Sequence, residues 1–584
     1  MNKFRFVRAL CALPLLPLAL MACGGSDEAP ASLDVANANS TLPPLGANAV
    51  ISASDCTLAK VGGAVPASSI GMPTNGARVV AATWFAATAT VPGYCRVDAA
   101  ISPVNPSAKD INVGIALPAS WNHRSDQLGG GGNNGSIPVL TAVGATSGIL
   151  TPPLSLGFAT YGSDSGHLTS DGNAWALSDE AVRNLGYMAM KKTYDVAMIV
   201  INRMYGEKPR FKYYTGSSQG GREAVTVAQR YPDDFDGISS NVAIVGFGTL
   251  FLSPPLNLIQ QNAFSRYVPR VKGVAIVTEI IRQCDKLDGL ADGVISNYVG
   301  CRDIFDVTRG APGRDPWLAK RCVGGIDNDP ANATATACLT DGQVETLNFF
   351  LKPYRYTTPM SNGVEAFGQY LPGPGVASLL ASSRYIGQEN PGPNLYNGGQ
   401  GAPFVLGALM QDLSANPLTR YIEGGALDAR RRELSEWLDS TNPDLSAFYK
   451  KGGKWIMTIG ANDTTAAPGE QLNFFQSVIN KMSRNVVDAF ARFYVVPQGG
   501  HSTGGDNYAV DGDGNTIPVS ALPSAGQVDQ LTLLTDWVEK NVPPPSGVVA
   551  ANGGRSRPIC SYPEYPKYIS GDVNLAASFV CTNP

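Results

Sequence analysis

From about residue 75 to 245, and again from 445 to 540, short apolar, β-rich runs alternate with glycine-rich turns and with stretches whose apolar positions recur at helical spacing. That alternation predicts an α/β sheet. Three strand-like runs end in polar residues: Phe211 to Tyr214, Lys454 to Ile459, and Ala491 to Val496. Ligands of open α/β sheets gather at the carboxyl ends of strands, so residues just beyond these runs can converge. Between residues 246 and 444 the pattern breaks into segments rich in Pro, Gly and Asn, with four cysteines and no sustained alternation. This stretch reads as a large insertion, and no internal repeat is evident.

The N-terminus carries Lys3, Arg5 and Arg8 and then an apolar run from Ala9 to Met21, too short to span a bilayer comfortably. It reads as an export signal over residues 1–22. Leu20-Met21-Ala22-Cys23 resembles a bacterial lipobox, which makes Cys23 a lipidation candidate; an ordinary signal peptide cut nearby is the alternative. Residues 23–50 read as a flexible tether. The expected location is an exported one: outer-membrane lipoprotein, periplasmic or extracellular.

The chain of 584 residues is 44% apolar with a net charge of -4 and no basic stripe, which argues against a nucleic-acid partner. Beyond Cys11 and Cys23, eight cysteines remain. In an exported protein an even number predicts disulfides, and spacing favours neighbours: Cys56 with Cys95, Cys284 with Cys301, Cys322 with Cys338, and Cys560 with Cys581.

Gly216-Ser217-Ser218-Gln219-Gly220 fits G-x-S-x-G, the strained strand-to-helix turn that exposes a nucleophile. The register selects Ser218, because centring on Ser217 would require glycine where Thr215 and Gln219 stand. A serine needs a base within reach. Of the three histidines, only His501 follows Ser218, as the order Ser, acid, His demands; His123 and His167 read as structural. Asp463, beyond the strand from Lys454, is the expected acid; Glu470 and Asp488 lie on less suitable elements. Oxyanion donors are expected from the N–H of Gln219 and, in the glycine run Gly129 to Gly132, from Gly129. The same run contains G-x-G-x-x-G from Gly130 to Gly135, but Pro138 follows at once and no helix start or acidic partner supports a dinucleotide site.

Asp285, Asp288 and Asp292 stand at intervals of three and four, with glycine after two of them and Cys284 and Cys301 at the ends of the stretch. Hard oxygen ligands on a stapled turn suit structural calcium; a solvated acidic turn is the alternative.

Together, Gly-Ser-Ser-Gln-Gly-Gly-Arg-Glu at 216–223, the Cys284 to Gly293 run, Gly-Ala-Asn-Asp at 460–463 and Gly-Gly-His at 499–501 resemble the tannase and feruloyl esterase family. The resemblance implies an α/β-hydrolase fold with a large lid inserted after the nucleophile elbow: a catalytic domain of residues 51–245 and 445–584, and a lid of 246–444. It implies Ca2+ held in the lid by Asp285, Asp288 and Asp292 with the carbonyls of Leu290 and Val294. It also implies a serine carboxylesterase acting on esters of aromatic acids; a monomer is expected, reaching a membrane only through the lipid anchor read at Cys23. Family members carry a disulfide between the residue before the nucleophile and the residue after the histidine; here those positions are Ser217 and Ser502. Members that cleave a terephthalate monoester use an arginine where approximate alignment puts Gln400, and no arginine occurs between Tyr385 and Leu418. Phe404 is a candidate to face the aromatic ring, with a buried core phenylalanine as the favoured alternative. A non-catalytic surface-binding lipoprotein, or a peptidase or acyltransferase on the same triad, are the competing readings.

Overall fold

A computed structural model of the chain describes residues 45–143, 148–252, 266–310, 312–381, 401–502, 504–505, 507–519 and 521–584. The export signal, Cys23 and Gln400 lie outside the described residues. Alternating burial along the first strands builds an antiparallel wing: β1 (Ala64–Val65), β2 (Ala77–Phe85), β3 (Tyr94–Ile101) and β4 (Ile111–Pro118). The centre is parallel and buried almost continuously: β5 (Arg124–Leu128), β6 (Ala159–Ser163), β7 (Phe211–Ser217), β8 (Gly237–Asn241), β9 (Lys454–Gly460) and β10 (Ala491–Val496). Two further antiparallel strands, β11 (Gly547–Asn552) and β12 (Arg555–Ser561), close the far edge. The resulting 12-stranded sheet has the order β11-β12-β10-β9-β8-β7-β5-β6-β4-β3-β2-β1.

Helices cover both faces, as a parallel sheet requires. Helix α1 (Ala189–Tyr205) packs Val196, Val200 and Ile201 onto Val97, Ile115 and Tyr161 of one face. On the other face, Leu531, Leu534 and Trp537 of the helix Gln530–Lys540 meet Tyr213, Ile456 and Tyr494. The nucleophile turn leads into α2 (Gln219–Arg230).

The insertion of residues 246–444 leaves the sheet after β8 and returns at β9, which pair side by side in parallel with Gly237 opposite Lys454. Its helices include α3 (Gly273–Cys284), α4 (Tyr298–Phe305), α5 (Asp341–Leu351) and α6 (Asp428–Leu438). Thr340 and Gln343 form a reciprocal cap at the start of α5. The insertion shares one core with the α/β layer, since Trp175, Val182 and Leu185 pack with Ile276, Phe305, Trp317 and Leu434. Arg222 of α2, fully buried, binds the two parts by donating to the carbonyls of Leu185, Gly186 and Leu438.

The eight cysteines form the four neighbour pairs: Cys56–Cys95, Cys284–Cys301, Cys322–Cys338 and Cys560–Cys581. The expected tether is shorter than residues 23–50. Ala49–Val50 pairs antiparallel with Ser120–Trp121, and the carbonyl of Ala47 meets His123 Nε2 at 2.8 Å. No helix among the described residues is long and apolar enough to cross a membrane.

Candidate active site

The chain turns sharply at Ser218, whose φ of 59° and ψ of -120° lie in a region that side chains rarely occupy. The turn is held by glycines whose neighbours leave no room for a side chain. A Cβ on Gly216 would come within 2.3 Å of the Gly220 backbone, and one on Gly220 within 2.7 Å of the Gly130 carbonyl. Strain of about 1–3 kcal/mol at such a residue persists only where packing over-determines it. Its result is a hydroxyl thrust out beyond the strand end.

His501, beyond β10, stands with Nε2 at 2.9 Å from Ser218 Oγ and Nδ1 at 2.9 Å from Asp463 Oδ2. Asp463, beyond β9, is 1% exposed, and its second oxygen accepts the backbone N–H of Thr465 at 2.7 Å and of Ala466 at 2.9 Å. The carboxylate is thereby aimed at the imidazole and fixes the Nδ1–H tautomer, which leaves Nε2 free to accept a proton from the serine. Three residues that the sequence analysis drew from three strand ends thus meet in one hydrogen-bonded line. Glu470 instead accepts the N–H of Gly368 and is pushed up to about 7, first by burial; Asp488 pairs with Arg484.

Gln219 opens α2, and its N–H has no partner among the described residues, as expected of a first-turn amide. Gly129 departs from the expectation. Its N–H donates to the Thr215 carbonyl at 2.9 Å, one step beyond the β5–β7 ladder that pairs Leu128 with Thr215, so it has no donor to spare. The next amide, Gly130, donates to Glu223 Oε2 at 3.0 Å. Gly131 is the first amide of the run without a partner among the described residues. Counting ladder positions past β5 is what would have pointed to it. Beside Ser218 opens a cavity of about 330 Å³, walled by Leu128, Gly131, Pro138, Val139, Ile149 and Pro153. The wall is mainly apolar, with Thr215, Ser217, Ser218 and the glycine-loop backbone supplying its polar part.

Phe404 does not face that cavity. It is fully buried in an aromatic cluster, with ring centroids 5.0 Å from Phe247, 5.2 Å from Phe251 and 5.7 Å from Trp175, and its role there is packing. His167 stacks on the same Trp175 at 4.0 Å and meets the Asn133 carbonyl through Nε2 at 2.7 Å, away from the serine. His123 lies on the far side with Ala47 and Glu207.

The acidic turn of the insertion is packed inside. Asp285 and Asp288 are fully buried, and burial first, then the charge of Asp292 among other neighbours, pushes them up to about 6 and about 7. Asp285 accepts the N–H groups of Gly293 at 3.0 Å and Gly512 at 2.8 Å, while Asp288 Oδ2 has no partner among the described residues. Asp292 pairs with Arg557 at 2.5 Å. The donor set, hard oxygens with one buried carboxylate oxygen left over, fits calcium. The carboxylate oxygens of Asp285, Asp288 and Asp292 do not all come within 4.8 Å of one another. The group that does, Cys322, Asp327 and Cys338, has both sulfurs tied in a disulfide.

A family model described as tannase and feruloyl esterase matches residues 95–582. An uncharacterised esterase of Agrobacterium fabrum is 34% identical, over 89% of this chain and 91% of its own. The mono(2-hydroxyethyl) terephthalate hydrolase of Piscinibacter sakaiensis is 26% identical, over 86% of this chain and 87% of its own. The crystal structure of feruloyl esterase B from Aspergillus oryzae superposes with a TM-score of 0.67 at 23% identity, covering 88% of this chain and 98% of that one, which shows the shared α/β-hydrolase fold.

Proposed function

The chain belongs to the tannase and feruloyl esterase family and is a carboxylic ester hydrolase, and from that premise we propose that it cleaves esters of aromatic acids through a Ser218 acyl-enzyme. The observation that carries this reading is the line Ser218–His501–Asp463, with 2.9 Å at each joint. Ser218 Oγ attacks the ester carbonyl carbon as its proton passes to His501 Nε2. Asp463 holds the imidazolium through Nδ1–H without taking the proton. The carbonyl oxygen, now negative, is met by the N–H groups of Gln219 and Gly131. Collapse breaks the bond to the alkoxy oxygen, which leaves with the proton from His501. Water then gives its proton to His501, attacks the acyl carbon and frees Ser218.

Two relatives, a feruloyl esterase and a terephthalate monoester hydrolase by name, support an aromatic acyl group. A cavity beside Ser218 that is mainly apolar and lined by no charged side chain, and the absence of arginine between Tyr385 and Leu418, support an uncharged one. Methyl ferulate and methyl gallate hydrolysed faster than a terephthalate monoester is the expected result; a preference for the carboxylated ester would overturn it.

Asp285, Asp288 and Asp292, with the carbonyls of Leu290 and Val294, would hold calcium, which when bound supplies counter-charge to the buried carboxylates. It takes no part in the ester chemistry. Four disulfides fit an oxidising, exported setting, and the lipobox at Cys23 fits a lipid anchor. The reading includes a monomer acting on a small substrate.

A further inference from the structure

We propose that Glu223 is a positioning residue that holds the glycine loop in the shape that turns the Gly131 N–H toward the reacting carbonyl, an inference that rests on the hydrolase reading above. Glu223 sits one helical turn after Gln219 and is 3% exposed. Its Oε2 accepts the Gly130 N–H at 3.0 Å and the Tyr214 hydroxyl at 2.8 Å. Its Oε1 accepts Asn134 Nδ2 at 2.7 Å and Gln219 Nε2 at 3.4 Å. These partners come from three segments: the middle of β7, the first turn of α2, and both sides of the glycine loop.

The loop needs such an anchor. A run of four glycines has the widest backbone freedom available, and nothing lies within 4 Å of where a Cβ on Gly131 would be, so no wall confines that residue. What confines it is the segment just before. The Gly129 N–H is tied to Thr215, the Gly130 carbonyl accepts the Gly220 N–H at 2.9 Å, and the Gly130 N–H is tied to Glu223. On the far side, Asn134 is held in a left-handed turn, φ 59°, with Nδ2 shared between Glu223 and Ser165 Oγ. Among the described residues, Glu223 bonds to the loop on both sides of Gly131.

All four partners of Glu223 are donors, so an acceptor is needed at both oxygens. Glutamine has the same shape but must turn its NH2 toward one pair of donors, and that pair then loses its acceptor. Glu223→Gln should release one end of the loop while leaving Ser218, His501 and Asp463 in place.

The test is full-chain Glu223→Gln assayed on methyl ferulate, with inhibition by phenylboronic acid, whose tetrahedral adduct places an oxygen where the oxyanion forms, and by ferulate, the planar product. We expect kcat to fall about 100-fold, as when an oxyanion donor is lost. KM and the ferulate inhibition constant should stay within about threefold, and the phenylboronic acid constant should rise in step with the fall in kcat. An unchanged kcat in a folded variant overturns the proposal. So does an equal weakening of ferulate and phenylboronic acid, which would mark a general structural role. Should Glu223→Gln yield no folded protein, Asn134→Ser removes one contact and carries the same comparison. Absence of ester turnover in the unmodified protein would instead sink the hydrolase reading, so the two failures are distinguishable.

Discussion

Asp463 gives one carboxylate oxygen to His501 and the other to two backbone N–H groups just downstream, so it cannot turn away from the imidazole without abandoning buried donors. The pair is built to set a tautomer rather than to exchange a proton.

Replacing Asp463 by Asn should therefore keep the fold and lower kcat on methyl ferulate roughly 10^4-fold, because an amide in this place favours the wrong tautomer of His501. Ser218→Ala should abolish turnover. Steady-state kinetics check both, and activity retained in Ser218→Ala would remove the serine from the mechanism.

Acid should destabilise the fold through His167. Burial is the main cause that lowers it to about 4, from an ordinary value near 6.5, with Asn133 and Asp171 opposing and Lys109 adding a smaller downward push. Between those values the unfolded chain binds the proton and the folded chain does not, so stability is lost as pH falls from 6.5 toward 4, on the order of 1 kcal/mol per unit. Asp126 and Glu470, pushed up by burial to about 8 and about 7, act in the opposite sense, since the folded state keeps their protons. The difference between the unmodified protein and His167→Gln isolates the histidine. The Tm at pH 7 minus the Tm at pH 5 should be smaller in the variant than in the unmodified protein.

Chelation should lower the Tm, and added calcium should restore it, if the buried Asp285 and Asp288 hold the ion. Thermal unfolding with EDTA, then with calcium in excess, is the check. Asp288→Asn should lose the chelator response. An identical curve in all three conditions would leave the acidic turn without a metal.

Joining residues 217 and 502 should be possible, because Ser217 and Ser502 flank the hydrogen-bonded pair Ser218 and His501. The double variant Ser217→Cys, Ser502→Cys is expected to form a disulfide with activity retained and Tm raised. Mass spectrometry under non-reducing conditions would reveal the bond, and two free thiols in the folded variant would show that the flanking positions diverge.

The triad was legible because each member closes a strand and the chain order leaves a single histidine. The glycine loop beside Ser218 was legible, but which of its amides stays unpaired was not. Whether Gly129 or Gly131 offers its N–H depends on how far the ladder between β5 and β7 runs, and that is set by a partner strand far along the chain. Phe404 was left between two readings for a similar reason: an aromatic residue in an apolar run reads the same whether it lines a cavity or packs against Phe247, Phe251 and Trp175. The helices of the insertion are short and separated by Pro-, Gly- and Asn-rich segments, so no sustained period announces them, and local caps such as Thr340 with Gln343 are what mark their starts.

The insertion leaves and re-enters the sheet at two strands that touch. In chain-entropy terms its length is then nearly free: each doubling of a loop adds only about 0.6 kcal/mol to closing it. The cost falls on time instead, because β8 can find β9 only after the intervening chain has been made, and such distant pairings are slow. An insertion placed there can be rewritten, lengthened or trimmed without disturbing the strand ends that carry Ser218, Asp463 and His501.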